Sequence, residues 1–416
     1  MPLRGYNVKI KGGVQMSNAH KGSRLILKDQ LIPVDFSSAH FNFNMDAIGV
    51  QYGDIVQPSG TSVYSVRQVE GKFGSGIAIE DGTTNLIETQ GGGASQDWTK
   101  WGHYGNTTYW TTSSQFDDPV MGKVFQGSNT GNAQAFLYDY YPYTFTSGGV
   151  YTNSIYLKSS IDLPALSLGS YINSSSGGQH NIANSVNFTG ISTQWQRYEA
   201  VHTITQQANT VGGIGWSFGT LPSGCTIYAS MPQLENKSFA TSFVKGTRGI
   251  GSLSYPITSV NQNSGTISMW FNPKNLTLVG NGYPMLFRVA NNIFELVLHS
   301  DRISINYNNL TPSSQLQTNT WYFLSYTWDN SVPTSTIYLY YPDGTLKTNV
   351  YSGSIPSLSG QSNMFIGCGG TGIYPCNSII SDVLIDTYAK SKDAIDSIFI
   401  SNKPLYNPYD YRAYAY

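Results

Sequence analysis

The chain has 416 residues, of which only 11% are charged, and a formal net charge of −1. Near-neutrality removes any general pull toward nucleic acid or an anionic membrane surface, and no apolar run approaches the ~18 residues of a membrane span. The abundance of Gly (43) and Tyr (30), with much Ser, Thr and Asn, disfavours long solvated helices and suits short strands joined by turns. An all-β protein of two antiparallel sandwiches is expected, with chain enough for each to bury its own core.

Residues 1–33 gather Arg4, Lys9, Lys11, Lys21, Arg24 and Lys28 against a single acid, Asp29. In a neutral protein this local excess reads as an extended arm that anchors on an acidic partner surface. The bland alternative is a solvated arm with one short strand at Leu25 to Leu27.

From residue 34 to 83, Phe41 and Phe43 alternate with Asn. The Gly-rich turn at Gly71, Gly74 and Gly76 then runs into the alternating apolar residues of a half-buried strand. An acidic turn, Glu80-Asp81-Gly82, follows. Far downstream, Leu253 and Tyr255 restart the same alternation. A single sandwich, 34–83 plus 247–400, interrupted by a self-contained module at 84–246, is the expected organisation.

The interrupting module carries an early Trp-containing segment (Trp98, Trp101), a Tyr-rich strand near Tyr151, a Trp-x-Arg-Tyr strand at Trp195 to Tyr198, and a closing Gln233-Leu234-Glu235 followed by Ala240-Thr241-Ser242-Phe243. This order resembles the family 4/9 type of carbohydrate-binding module, a β-jelly roll. The second half of the outer sandwich carries Trp321-Tyr322, Trp328-Asp329, a strong Pro342-Asp343-Gly344 turn and a closing helix with Asp393 in its first turn. Together with the Gly-rich opening it resembles a laminin-G/concanavalin-like jelly roll. One such module released inside the other at Ala-Thr-Ser-Phe-Val-x-Gly-Thr-Arg resembles structural proteins of tailed bacteriophages, over residues 34–400.

That resemblance implies a non-enzymatic virion protein on the exterior of the particle: a head fibre, capsid decoration or tail-associated component, such as a tail fibre, adhering to host or environmental glycans. It agrees with an opening, MPLRGYNVKIKGG, that lacks the apolar segment of a secretion signal. Two alternatives stand beside it: a secreted carbohydrate-binding accessory module of a glycan-degrading system, and a virion cement or spacer without any ligand. The implied partners are other virion proteins and cell-surface glycans, without nucleic acid and without membrane insertion. Low charge and strand-rich edges favour a homo-oligomer, with a trimer as the working guess. Jelly rolls of both kinds often hold a structural calcium ion; no ligand set for it is legible, and no other cofactor is expected.

Sugar binding needs aromatic platforms and nearby polar groups. The candidates are Trp101, Tyr104, Tyr109 and Trp110 in one cluster, and Tyr138 and Tyr140 in another, the last two on one strand face with Asp139 opposite. Trp98 and Trp195 are expected in the core. No catalytic constellation is visible: paired carboxylates on one strand, a His-Glu-x-x-His motif and a nucleophile elbow are all missing. Asp382 and Asp386 read as solvent-facing. Cys225, Cys368 and Cys376 make an odd count, expected as reduced thiols, although a loop could bring Cys368 and Cys376 together. The tail, residues 401–416, holds Tyr406, Tyr409, Tyr411, Tyr414 and Tyr416 and is expected to lie extended on a neighbouring chain.

Overall fold

A computed structural model describes residues 24–27, 30–33, 62–64, 67–72, 74–90, 93–102, 110–119, 121–129, 134–174, 182–205, 210–257, 260–276, 283–289, 294–305, 316–353, 355, 357–370 and 373–402. The architecture is all-β, built from sheets facing each other in pairs and antiparallel throughout except where Arg24–Leu27 runs parallel to Ser378–Asp386. The basic side chains of residues 1–33 and the tyrosines of the C-terminal tail lie outside the described residues.

One sandwich is assembled from both ends of the chain. Its larger sheet runs Gln30–Pro33, Arg24–Leu27, Ser378–Asp386, Ser264–Pro273, Tyr322–Asp329, Thr334–Tyr340, Leu346–Ser352, and Ser378–Asp386 also takes Gly74–Ile79, which pairs in turn with Arg67–Gly71. Its smaller sheet runs Ile303–Ile305, Glu295–Leu298, Met285–Arg288, Asn363–Ile366, Ser252–Pro256, Ser62–Tyr64. Strands from before residue 84 thus pair with strands from after residue 247: Ile77 opposes Ile380, and Val63 opposes Leu253. Ile77 and Ile79 share one apolar core with Leu253, Tyr255, Ile267, Met269 and Phe271.

Alternation explains why the central strands read as nearly unbroken apolar runs. In Ser264–Pro273 the residues Ile267, Met269 and Phe271 point into the core, while Trp270 points out. Tyr322, Leu324 and Tyr326 likewise face in, and Phe323 faces out. The outward residues are not left in water, because the helix Lys392–Asn402 lays Ile395 and Phe399 over them. Phe399 stacks on Tyr340 at a centroid distance of 4.3 Å and on Trp270 at 5.6 Å. The turn between Thr334–Tyr340 and Leu346–Ser352 forms where Pro342-Asp343-Gly344 places it. Gly344 takes the left-handed φ of 86° that a side chain would resist, and Asp343 accepts the Thr345 N–H at 2.8 Å.

Strands from Thr112–Asp118 to Cys225–Glu235 form a second pair of sheets. Five strands run Gln196–Thr203, Val150–Ser159, Cys225–Glu235, Gly122–Asn129, Thr112–Asp118, and four run Val186–Ile191, Leu163–Ser174, Thr210–Phe218, Ala135–Phe145. Trp98, Trp101 and Trp110 lie in the core between them, each at most 1% exposed. Their indole N–H groups donate to the backbone carbonyls of Lys123, Ala94 and Phe136 at 3.0, 3.0 and 2.9 Å. The expectation that Trp101 and Trp110 offer sugar platforms is therefore corrected: an indole with both faces packed and its donor satisfied has nothing left for a ligand. Asp386 is corrected too, since it is buried and pairs with Lys390 at 3.1 Å. All three cysteines are free, buried thiols.

The two sandwiches meet at a narrow neck, where Thr83–Thr84 pairs with Thr247–Arg248. Beside it Asn85, fully buried, uses its whole amide. It donates to the carbonyls of Pro232 (3.2 Å) and Val244 (3.3 Å) and accepts the N–H groups of Ile87 (3.1 Å) and Leu234 (3.2 Å). A β-bulge at Met231, whose φ is 51°, shifts the register so that Ser154 opposes Gln233 while Tyr156 opposes Ser230. The shift reverses the alternation, turning Gln233 and Glu235 outward and Leu234 into the core.

Glu235 then accepts from Thr83 Oγ1 (2.6 Å), Thr241 N (3.0 Å) and Thr241 Oγ1 (2.6 Å). Gln233 bridges Thr241 and Val244. Glu80, on the outer sandwich's side, meets Arg248 at 3.0 Å and the Ser242 N–H at 3.0 Å. Burial alone would push the Glu80 carboxyl up, but Arg248 and Ser242 together hold it below the ordinary carboxylate range. Burial pushes Glu235 up, despite its hydroxyl and amide partners.

Three outcomes follow from this packing. Truncating Trp110 to Ala should lower stability in urea unfolding by about 3–5 kcal/mol, as a core truncation does. Arg248→Met should cost about 3–5 kcal/mol, because it leaves Glu80 buried without its countercharge, and adding Glu80→Gln should return part of that loss. Glu80 has a depressed folded pKa, so its stabilisation is complete above the ordinary value of 4.5 and fades as pH falls through the folded value. The stability gap between wild type and Glu80→Gln should therefore be widest at neutral pH and close in acid; a gap independent of pH would contradict the assignment.

Candidate functional site

The register of the five-stranded sheet lines up side chains from every strand in transverse rows on its outer face. Lys158 opposes Tyr228, Tyr228 opposes Gln126, and Gln126 opposes Ser114. Leu157 opposes Gln196, which places Trp195 next to Lys158 at the other end of the same row. The adjoining row is Arg197, Tyr156, Ser230, Val124, Phe116.

The two rows have different fates. Tyr156 and Val124 are covered by Met121, Met231 and Phe243, the last of these from the segment that leads to the neck. The row beginning at Trp195 stays open: Trp195, Lys158, Tyr228 and Gln126 are half-buried and Ser114 is exposed. Trp195 and Tyr228 stand two strands apart, roughly 10 Å at the usual strand spacing. The Lys158 ammonium lies between them, 5.0 Å from the Trp195 ring centre and 5.1 Å from that of Tyr228. A band of hydroxyls flanks this row, with Ser128 and Thr226 side chains 2.8 Å apart and Ser160 accepting the Thr226 N–H at 3.0 Å.

Chemically the row offers two π faces, a cation, an amide and hydroxyls, which is a set suited to ring-shaped polyols with one apolar face. It carries no carboxylate, so the two-carboxylate chemistry of glycoside hydrolysis has no supplier on it. Glu199, two rows away, faces Arg197 at 3.5 Å. Arg197 also donates to Ser154 at 2.9 Å and lies over Tyr156.

Sequence reasoning placed Trp195 in the core, and the structure does not. Tyr198 and Ala200 are the inward residues of that strand, and Trp195 shares the outward parity of Arg197. Parity counted from Tyr198 is the signal that would have found it. Of the residues expected to bind sugar, Trp101 and Trp110 are core. Tyr138 is half-buried, with its ring laid over Gly102, where even one methyl group would collide with it. Asp139, opposite, is buried and accepts the Tyr143 hydroxyl at 2.5 Å. Tyr104, Tyr109 and the side chain of Tyr140 lie outside the described residues, as does the side chain of Asp382.

A polar cavity of about 300 Å³ opens at the neck, with Thr83, Thr84, Thr247, Asn236, Lys237 and Arg248 in its wall. Both of its cations already face carboxylates, Lys237 at 3.5 Å from Asp81 and Arg248 at 3.0 Å from Glu80. Among the described residues no cluster of His, Cys, Asp and Glu is suited to a metal ion.

Comparison with known proteins bears on the outer sandwich. A search of curated proteins finds no match. Among solved structures, the chain is similar to a family 16 carbohydrate-binding module, at 18% identity over 32% of this chain and 89% of that one, with a TM-score of 0.24. It is also similar to the tandem CBM22-1-CBM22-2 domain of Paenibacillus barcinonensis Xyn10C (9% identity, 74% and 99% covered, TM-score 0.24) and to basic winged bean lectin with Tn-antigen (14%, 32% and 77%, TM-score 0.21). Likenesses at this level carry no argument about a ligand. Residues 248–396 match the family model Laminin_G_3, described as the concanavalin A-like lectin/glucanases superfamily, and they supply most strands of the outer sandwich.

Proposed function

We propose that this chain is a non-catalytic glycan-binding protein that holds sugar on the open row Trp195–Lys158–Tyr228–Gln126. The observation that carries this reading is the half-exposed pair of aromatic rings at fixed spacing on a rigid sheet, with polar groups between and beside them. Rings held on strands lose little conformational freedom when a ligand arrives, which is what weak stacking contacts need in order to add up.

In the same reading, residues 34–83 plus 247–400 are one jelly-roll domain and residues 84–246 a module inserted into it. The whole is displayed on the outside of a tailed-phage particle and fastened to other virion proteins through the basic arm, whose anchoring part is limited to residues 1–23 because Arg24–Leu27 and Gln30–Pro33 pair within the sandwich. What supports this setting is the order of the modules and a surface whose solubility rests on hydroxyls and amides instead of charge.

The test is a glycan array probed with the full chain, followed by titration of the best ligand. Trp195→Ala and Tyr228→Ala should each weaken binding at least tenfold, about 1.4 kcal/mol; because both rings also pack on the cluster of Met121, Tyr156 and Phe243, each variant should lose about 1–2 kcal/mol of stability while staying folded. Binding that survives both substitutions would refute the site. A chain that binds no glycan but is found on intact particles would instead be a cement or spacer.

A further inference from the structure

Lys158 holds an unusual position in the proposed site. Its ammonium sits at similar distance from two aromatic rings, 5.0 and 5.1 Å, on a row where the remaining side chains are neutral. Among the described residues no acid is in ion-pair contact with it. Both buried arginines and several other cations of the described residues do find an anion, while half-buried Lys274 donates to the Asn319 side chain at 2.8 Å. Arg197, Lys237, Arg248, Arg288, Lys390 and Lys392 each face a carboxylate within 3.5 Å. A half-buried cation whose neighbours supply π faces but no formal charge has part of its hydration removed and no anion in return.

Resting on the reading of this row as a glycan site, we infer that its ligand is an acidic glycan, one whose sugar carries a carboxylate next to an apolar ring face. The ring stacks on Trp195 or Tyr228, which flank Lys158 on both sides along the row, and the carboxylate meets the ammonium between them. Each group on the row then has a use: the rings take the C–H face, Lys158 the anion, and Gln126 with Thr226 and Ser128 the hydroxyls. A neutral sugar would use the same rings while laying an uncharged surface over a partly dehydrated cation, which is a penalty instead of a contact.

The experiment compares uronic-acid and sialic-acid oligosaccharides with their carboxyl-reduced counterparts, which keep the ring and lose the charge. The acidic forms should bind about tenfold or more tightly, and added salt should erode the difference. Lys158→Gln should abolish the preference, weakening the acidic forms and tightening the carboxyl-reduced ones as the penalty on a neutral ring is lifted, and Lys158→Arg should retain it. Equal affinity for acidic and reduced forms, lost in Trp195→Ala, would overturn the acidic-ligand inference and leave the glycan site standing. Absence of binding to every member of the array would overturn both. Circular dichroism of each variant checks that the sheet is intact.

Discussion

A chain that leaves one sandwich, builds a second and returns must bring its exit and re-entry points together, and here a buried polar latch does so. Asn85 binds four backbone groups, two of them on the last strand of the insert and one just before the return. Glu235 and Gln233 bind the segment between that strand and the neck, and Glu80 binds Ser242 and Arg248 from the other side. Asn85, Gln233, Glu235, Glu80, Thr241 and Arg248 are all buried, so each is costly without its partner and worthwhile with it. Such a latch therefore rewards one geometry steeply, whereas an apolar neck would tolerate several.

The bulge at Met231 links this latch to the binding face. Without the extra residue, strand parity would send Gln233 and Glu235 into the apolar core and Leu234 toward the neck. With it, one strand serves two purposes on one face: Tyr228 before the bulge joins the open row, and Gln233 and Glu235 after it close the latch. Phe243, from the latch segment, covers the middle of the same face. The open row is what remains of that face once the neck has been sealed.

Much of this was legible from residue order, and the misses share a cause. The Gly-rich turn before Gly74–Ile79, the turn at Asp343-Gly344 and the helix containing Asp393 all followed from local rules of φ, side-chain hydrogen bonding and helix-end charge. The Gln-Leu-Glu and Ala-Thr-Ser-Phe motifs were visible too, although their role was not, because sequence shows a buried carboxylate without its hydroxyl donors from distant strands. The aromatics failed differently. Trp101 and Trp110 lie outside regular strands, so no alternation announces which way they point. Trp195 sits just ahead of its strand and is expected in the core only by likeness to the aromatic positions of such jelly rolls, where parity with Arg197 is the better guide.

The neck has a mechanical consequence. Because Thr83 and Arg248 are paired at the same end of an antiparallel ladder, tension on the polypeptide from either end pulls that end apart, and strand pairs of the outer sandwich that join the two halves of the chain bear it as well. The second pair of sheets hangs outside that line of force, like a lamp wired in parallel. A pull transmitted through the outer sandwich reaches it only after the ladder at its base has given way, so its sheet, and the row of side chains on it, keeps its spacing under load.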